Sequence, residues 1–157
     1  MSTSLTPSGT RPVIPALGKV WTALEPLSWL IVRVTTGILL MPHGAGKLFG
    51  LFGGYGLEGT GGYFDSIGFH PGYLFALLVG LLEFFGGALL VLGLLTRPVA
   101  AAVVVFMGVA FFIHLPNGYA WINAGFEMPV LWGMMALSIV IRGGGKISLD
   151  RKLGFEF

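Results

Sequence analysis

Gly72-Tyr-Leu-Phe-Ala-Leu-Leu-Val-Gly-Leu-Leu-Glu83-Phe-Phe-Gly-Gly-Ala-Leu-Leu-Val-Leu-Gly-Leu-Leu95 carries one charge, at its centre, in a run otherwise built of apolar residues and glycine. About 20 such residues at ~1.5 Å rise each cover the ~30 Å hydrocarbon core of a bilayer. The stretch therefore reads as a membrane span. An ionisable side chain at mid-bilayer costs a few kcal/mol and normally faces protein or a wet cavity, beside a partner. Glu83 is expected to need a cation or a proton there, and Arg33 and Lys47 are the candidate partners.

The rest of the chain agrees with that reading. Hydrophobic residues make up 55% of the 157 positions and charged residues 10%, with a mean hydropathy of +0.86. This balance departs from the soluble one. It predicts a single domain of about four spans without a separate soluble catalytic module. A net charge of +2 is too small to point to nucleic acid. Without cysteine the chain has no disulfide, no CxxC pair and no thiolate metal site. Redox chemistry would have to use a borrowed carrier. No HxxxH or ExxH spacing supports a metal site either.

Four spans emerge, at about 27–48, 73–95, 99–115 and 128–142. They predict an all-α integral membrane protein, a four-transmembrane-helix bundle. Residues 1–26, with Pro7, Pro12, Pro15 and Pro26, read as a proline-rich tail, and 27–157 as the membrane domain. No apolar run of signal-peptide length occurs in the tail. Residues 1–18 are expected to be mobile, and 19–29, with Trp21, Leu24 and Trp29, to form an interfacial segment. Thr96-Arg97-Pro98 makes spans two and three an antiparallel hairpin, with Pro98 suited to a first helical turn. Residues 49–72 are glycine-rich but carry Tyr55, Tyr63, Phe64 and Phe69, which predicts a loop folded over the bundle mouth. Residues 116–126 make a second loop on that side. Arg11, Lys19, Arg97, Arg142, Lys146, Arg151 and Lys152 fall at one end of the spans, against Lys47 at the other. The positive-inside rule then places the N and C termini in the cytoplasm and both aromatic loops outside.

With that topology most polar residues converge on the outer half of the bundle. Glu83 would form the floor of an outward-opening pocket, with His43, Lys47, His114 and Glu127 on its walls and Trp121 or Tyr119 as lids. Arg33 lies deeper, on a stripe with Gly37, Gly44 and Lys47 that faces the bundle, since an arginine facing lipid is costly. Blander readings stand beside these. An Arg33–Glu83 pair could simply fix helix register. Lys47, His114 and Glu127 could be solvated helix ends, with Glu127 suiting a helix N-terminus. His43 could satisfy backbone groups released by Pro42. Gly80, Gly86 and Gly87 read as close-approach positions.

These residues together resemble the DoxX family of small four-helix bacterial membrane proteins. The matching pieces are Arg33-Val-Thr-Thr-Gly-Ile-Leu-Leu-Met-Pro-His43-Gly-Ala-Gly-Lys47-Leu-Phe, Glu83-Phe-Phe-Gly-Gly87, Gly93-Leu-Leu-Thr-Arg97, His114, Glu127 and Gly143-Gly-Gly-Lys-Ile-Ser-Leu-Asp150-Arg151. They cover about 28–152. The resemblance implies a multi-pass protein of the bacterial cytoplasmic (inner) membrane. It implies a subunit of, or accessory to, a quinone-linked membrane oxidoreductase, of the type associated with a terminal quinol oxidase or thiosulfate:quinone oxidoreductase. No cofactor intrinsic to the chain is expected, and quinone is the ligand to look for. Expected partners are the lipid bilayer and a larger membrane complex or a second copy of the chain. The alternative is a non-catalytic anchor or assembly subunit. A small-solute transporter is a poorer match, because repeats and paired broken helices are missing.

Overall fold

The computed structural model describes residues 9–155 and 157. Residues 1–8 of the expected tail lie outside them. Pro15 opens helix α1 (Pro15–Phe49), at a position where its missing N–H would be unpaired in any case. The helix continues through Pro26 and Pro42, so it begins well before the span expected from residue 27. Each internal proline removes one helical hydrogen bond, and tertiary contacts hold the early turns instead. Glu25 accepts from Arg142 Nη2 and, at 2.9 Å, from Lys146 Nζ. Trp29 Nε1 donates to Gly143 O at 2.8 Å. At 35 residues α1 is about 52 Å long, well beyond a hydrocarbon core of ~30 Å.

The glycine-rich connection is not the loop the sequence suggests. Gly56–Ser66 forms helix α2, although each interior glycine costs up to ~1 kcal/mol of helix propensity relative to alanine. Packing outweighs that cost, because the bare Cα of Gly61 lies against the Tyr73 backbone and that of Gly72 against Gly61 O. Asp65 Oδ1 accepts from Gly72 N at 2.7 Å and closes the corner into the next helix.

That helix runs continuously over Gly72–Leu92. It comprises α3 (Gly72–Leu81), a π-helical turn (Leu82–Gly86) and α4 (Gly87–Leu92). A tight turn at Gly93–Leu95 leads into α5 (Thr96–His114), confirming the hairpin. Two 3₁₀ turns in 115–123 then precede α6 (Glu127–Arg142). Among the described residues the regular structure is all helical. Among the described residues three helices are long and apolar enough to cross a membrane: Pro15–Phe49, Gly72–Leu92 and Thr96–Asn117. Helix α6, at 16 residues, is about 24 Å long and shorter than that core.

The bundle is two close helix pairs, α1 with α3–α4 and α5 with α6, joined by a core of Leu40, Leu90, Val103, Met107, Ala136 and Ile139. Glycine sets the first pair's spacing. A Cβ on Gly37 would strike Gly87 O, and one on Gly44 the backbone of Gly80 and Phe84. Large apolar side chains such as Ile31, Leu78, Val105, Phe112, Met134 and Ile141 point outward. A soluble monomer rarely exposes so continuous an apolar surface, whereas lipid covers it without cost.

One end of the bundle carries the 50–71 and 115–126 connections. The other carries the start of α1, the 93–95 turn and the segment after α6, which folds back through the short helix α7 (Leu149–Leu153). Asp150, 2% exposed, accepts from Leu95 N at 2.8 Å and Thr96 N at 2.9 Å. It thereby satisfies amides that open α5.

Candidate functional site

Lys47 lies in the last turn of α1 beside Leu48, whose side chain packs on the bare Cα of Gly80 on α3. That approach of the two helices brings Lys47 within reach of the π-helical turn that carries Glu83. Lys47 Nζ sits 2.9 Å from Glu83 Oε1 and 2.7 Å from Oε2. The Glu83 side chain is 3% exposed and that of Lys47 24%. One ammonium thus occupies both carboxylate oxygens, with its own far side toward open space. A π turn inserts a residue into the helix, re-aims the side chains beside it and recurs at functional sites.

The open space is a cavity of about 420 Å³ between α1, α2, α5 and α6. Glu83 forms its floor, His43 and Lys47 line the α1 side, and His114 and Trp121 the opposite side. The His43 ring stands edge-on to Trp132 at 5.1 Å and 84°. His114 Nδ1–H donates to Ala124 O at 2.7 Å, and Asn117 Nδ2 shares that carbonyl at 3.1 Å. Because a carbonyl only accepts, the neutral His114 ring keeps Nε2 as its acceptor. Phe106, Met107 and Ile113 complete a largely apolar wall. The cavity has the size and make-up of a small-molecule site, apolar with a few polar groups converging on it.

Five of the residues expected at the site therefore meet in one cavity: Glu83, Lys47, His43, His114 and Trp121. Arg33 does not join them, and it is not the partner of Glu83. It lies beside Gly93, about 15 Å along the helix from Glu83 at ~1.5 Å per residue. There, 1% exposed, it donates to Gly144 O and, at 2.7 Å, to Ile147 O. Its buried position on a stripe with Gly37 and Gly44 is as expected. Glu127 also lies outside the cavity lining. Its Oε2 accepts from Trp121 N at 3.1 Å, which holds the 115–126 loop over the cavity mouth. Tyr119 stands edge-on to Phe126 at 5.8 Å and is not part of the cavity lining, whereas Trp121 is.

Sequence reasoning missed Thr60 of α2 and Trp132 of α6, and named Tyr63 only among the aromatics of a loop over the mouth; all three line the cavity. Thr60 and Tyr63 are three apart, a one-face spacing that carries meaning only once the glycine-rich segment is known to be helical. Among the described residues no group of three or more His, Asp or Glu side chains is placed to hold a metal ion.

Outside the spans, Asp65 accepts from the Gly72 amide and from His70 Nδ1 at 2.8 Å. The amide bond first, then the histidine, holds its carboxyl below the ordinary aspartate range.

The sequence profile of the family described as DoxX matches residues 28–116. Among curated proteins, "Inner membrane protein YqjF" of Escherichia coli (strain K12) is 32% identical over 83% of this chain and 95% of its own length. "Putative oxidoreductase CatD" of Bacillus subtilis (strain 168) is 30% identical over 77% of this chain and 83% of its own. A shorter match, 35% identical, covers 40% of this chain but only 42% of an uncharacterized protein of Haemophilus influenzae. No solved structure matches.

Proposed function

The chain belongs to the DoxX family, and on that premise we propose that it is a small inner-membrane subunit of, or accessory to, a quinone-linked oxidoreductase. The observation that carries this reading is the Lys47–Glu83 pair at the floor of an apolar cavity flanked by two imidazoles. A quinone needs an apolar enclosure for its ring, hydrogen-bond donors for its carbonyl oxygens and a proton path for its reduction. His43 donates to a carbonyl oxygen, His114, whose Nδ1–H is committed to Ala124 O, offers an acceptor to a quinol hydroxyl, and Lys47 holds Glu83 as the group that passes on the proton. Electrons come from a partner, since the sequence carries no haem, flavin, iron–sulfur or thiol signature. The name of the Bacillus relative points toward redox work, and that of the Escherichia relative toward the inner membrane. In this reading α1, α3–α4, α5 and α6 all cross the bilayer, α6 with help from the loop before it. Both termini are cytoplasmic, and the cavity opens outward.

Glu83→Gln tests the reading in the native membrane. Turnover of the quinone-linked complex should be lost while the complex still assembles. Loss of assembly would instead support a second reading, a non-catalytic anchor. That reading is favoured by one feature: Lys47 occupies both oxygens of Glu83, as a register-fixing ion pair would.

A further inference from the structure

The cavity above Glu83 has a neighbour. A groove of about 810 Å³ lies on the other flank of α1, between its last two turns, the 3₁₀ turn Leu51–Gly53 and α2. His43, Lys47, Thr60 and Tyr63 line both spaces. Those four residues form a neck, two from α1 and two from α2, with a polar floor on one side and the groove on the other. Away from the neck the groove is bounded by Pro42, Leu51, Phe52 and Tyr55, all half-exposed or exposed. Glycines at 46, 53, 54 and 59 also line it, Gly46 and Gly54 in direct backbone contact.

We infer that this groove is the tail site and lateral entry of the ligand whose polar head reaches Lys47 and Glu83, so that the natural ligand is a membrane-dissolved amphiphile with an apolar chain. This rests on the reading of the cavity given above and adds to it the place of the quinone's chain and its route of entry. Three features favour that occupant. The groove is continuous with the head site through shared side chains. It flanks the end of a membrane-crossing helix, where Tyr55 and Phe52 suit the headgroup level. Away from the neck its lining is mostly apolar, as a hydrocarbon chain requires. A ligand arriving from lipid therefore passes the neck head first and leaves its chain in the groove.

The test uses the full chain in lipid nanodiscs, with decylubiquinone and its tail-less headgroup quinone as probes. Leu51→Trp fills the groove without touching the head site. It should weaken decylubiquinone binding about tenfold, the loss of one well-packed chain segment, and change headgroup binding less than about twofold. Partition into the bilayer is the same for both proteins, so it cancels from the comparison. Equal loss of both probes, or of neither, overturns the tail site while leaving the head site standing. Absence of saturable binding of either probe to the unmodified protein overturns the reading of the cavity and this inference with it. Should Leu51→Trp fail to fold, a decylubiquinone carrying a photoreactive group at its chain end decides on the unmodified protein. Adducts at Leu51–Tyr55 are the expected result, and adducts at the opposite flank, such as Val105 or Phe112, overturn the proposal.

Discussion

Lys47 Nζ meets both oxygens of a carboxylate that is 3% exposed, so losing the cation and losing the pair have different consequences. Lys47→Met strands Glu83 as a buried charge, and breaking a buried pair in that way costs about 3 kcal/mol. Replacing both partners by methionine removes the stranded charge and should recover most of that loss. Thermal unfolding of the two variants in detergent measures the difference. A single variant as stable as the parent would show that solvent entering through the cavity already screens Glu83. Asp65 gives a pH signature at the same scale. Its carboxyl is held below the ordinary range by Gly72 N–H and His70, so the folded state binds fewer protons there than the unfolded state does. The stabilisation is present above the unfolded value near ~4 and is lost as pH falls through the lower folded value. The protection of the Gly72 amide from hydrogen exchange, taken relative to its intrinsic rate at each pH, should therefore fall on acidification through that window. In Asp65→Asn that protection should no longer change with pH there.

Between elements, spacing is set by backbone contact, which makes glycines unequal. Gly44→Ala drives a Cβ into the backbone of Gly80 and Phe84, and overpacking of that kind costs roughly 1–3 kcal/mol. It should also shift the Lys47–Glu83 distance, because Gly44 and Lys47 share a face of α1. Gly108→Ala meets nothing within 4 Å and should stabilise α5 by about 0.5–1 kcal/mol through propensity alone. Melting temperatures of the pair read out the contrast. This is also the scale at which the sequence was only partly legible. Hydropathy located the long helices, and a lone Glu83 in an apolar run announced its need for a partner. Choosing between Lys47 and Arg33 required the vertical offset of α1 against α3–α4. That offset depends on where α1 stops and on how much of 50–71 stands above it. The same segment hid α2, because glycine content argues against a helix that only its packing on α3 sustains. The neck residues Thr60 and Tyr63 were hidden with it.

The whole molecule is asymmetric in charge and in construction. Arg11, Lys19, Arg97, Arg142, Lys146, Arg151 and Lys152 belong to the end with the folded-back C-terminal segment. At the cavity end the single basic residue beside the spans, Lys47, is paired with Glu83. The return of 143–155 over that basic end was not foreseeable from local pattern, since it joins Arg33 to Gly144 and Ile147 across more than half the chain, and Asp150 to the start of α5 across 54 residues. It caps the basic end through those bonds. Asp150→Ala leaves two α5 amides without their carboxylate and should cost about 3 kcal/mol, with lost thermal stability as the readout. The charge asymmetry makes a separate prediction about direction. Positive-inside insertion puts the cap in the cytoplasm and the Trp121 mouth outside. The chain has no cysteine, so single-cysteine variants can be labelled in intact cells without background. Gly118→Cys should react with an impermeant maleimide and Lys152→Cys only after the membrane is opened. The reverse pattern would turn the cavity toward the cytoplasm. Glu83 would then exchange protons with the cytoplasmic side, and any reductase serving the site would have to dock against the 115–126 loop from within the cell.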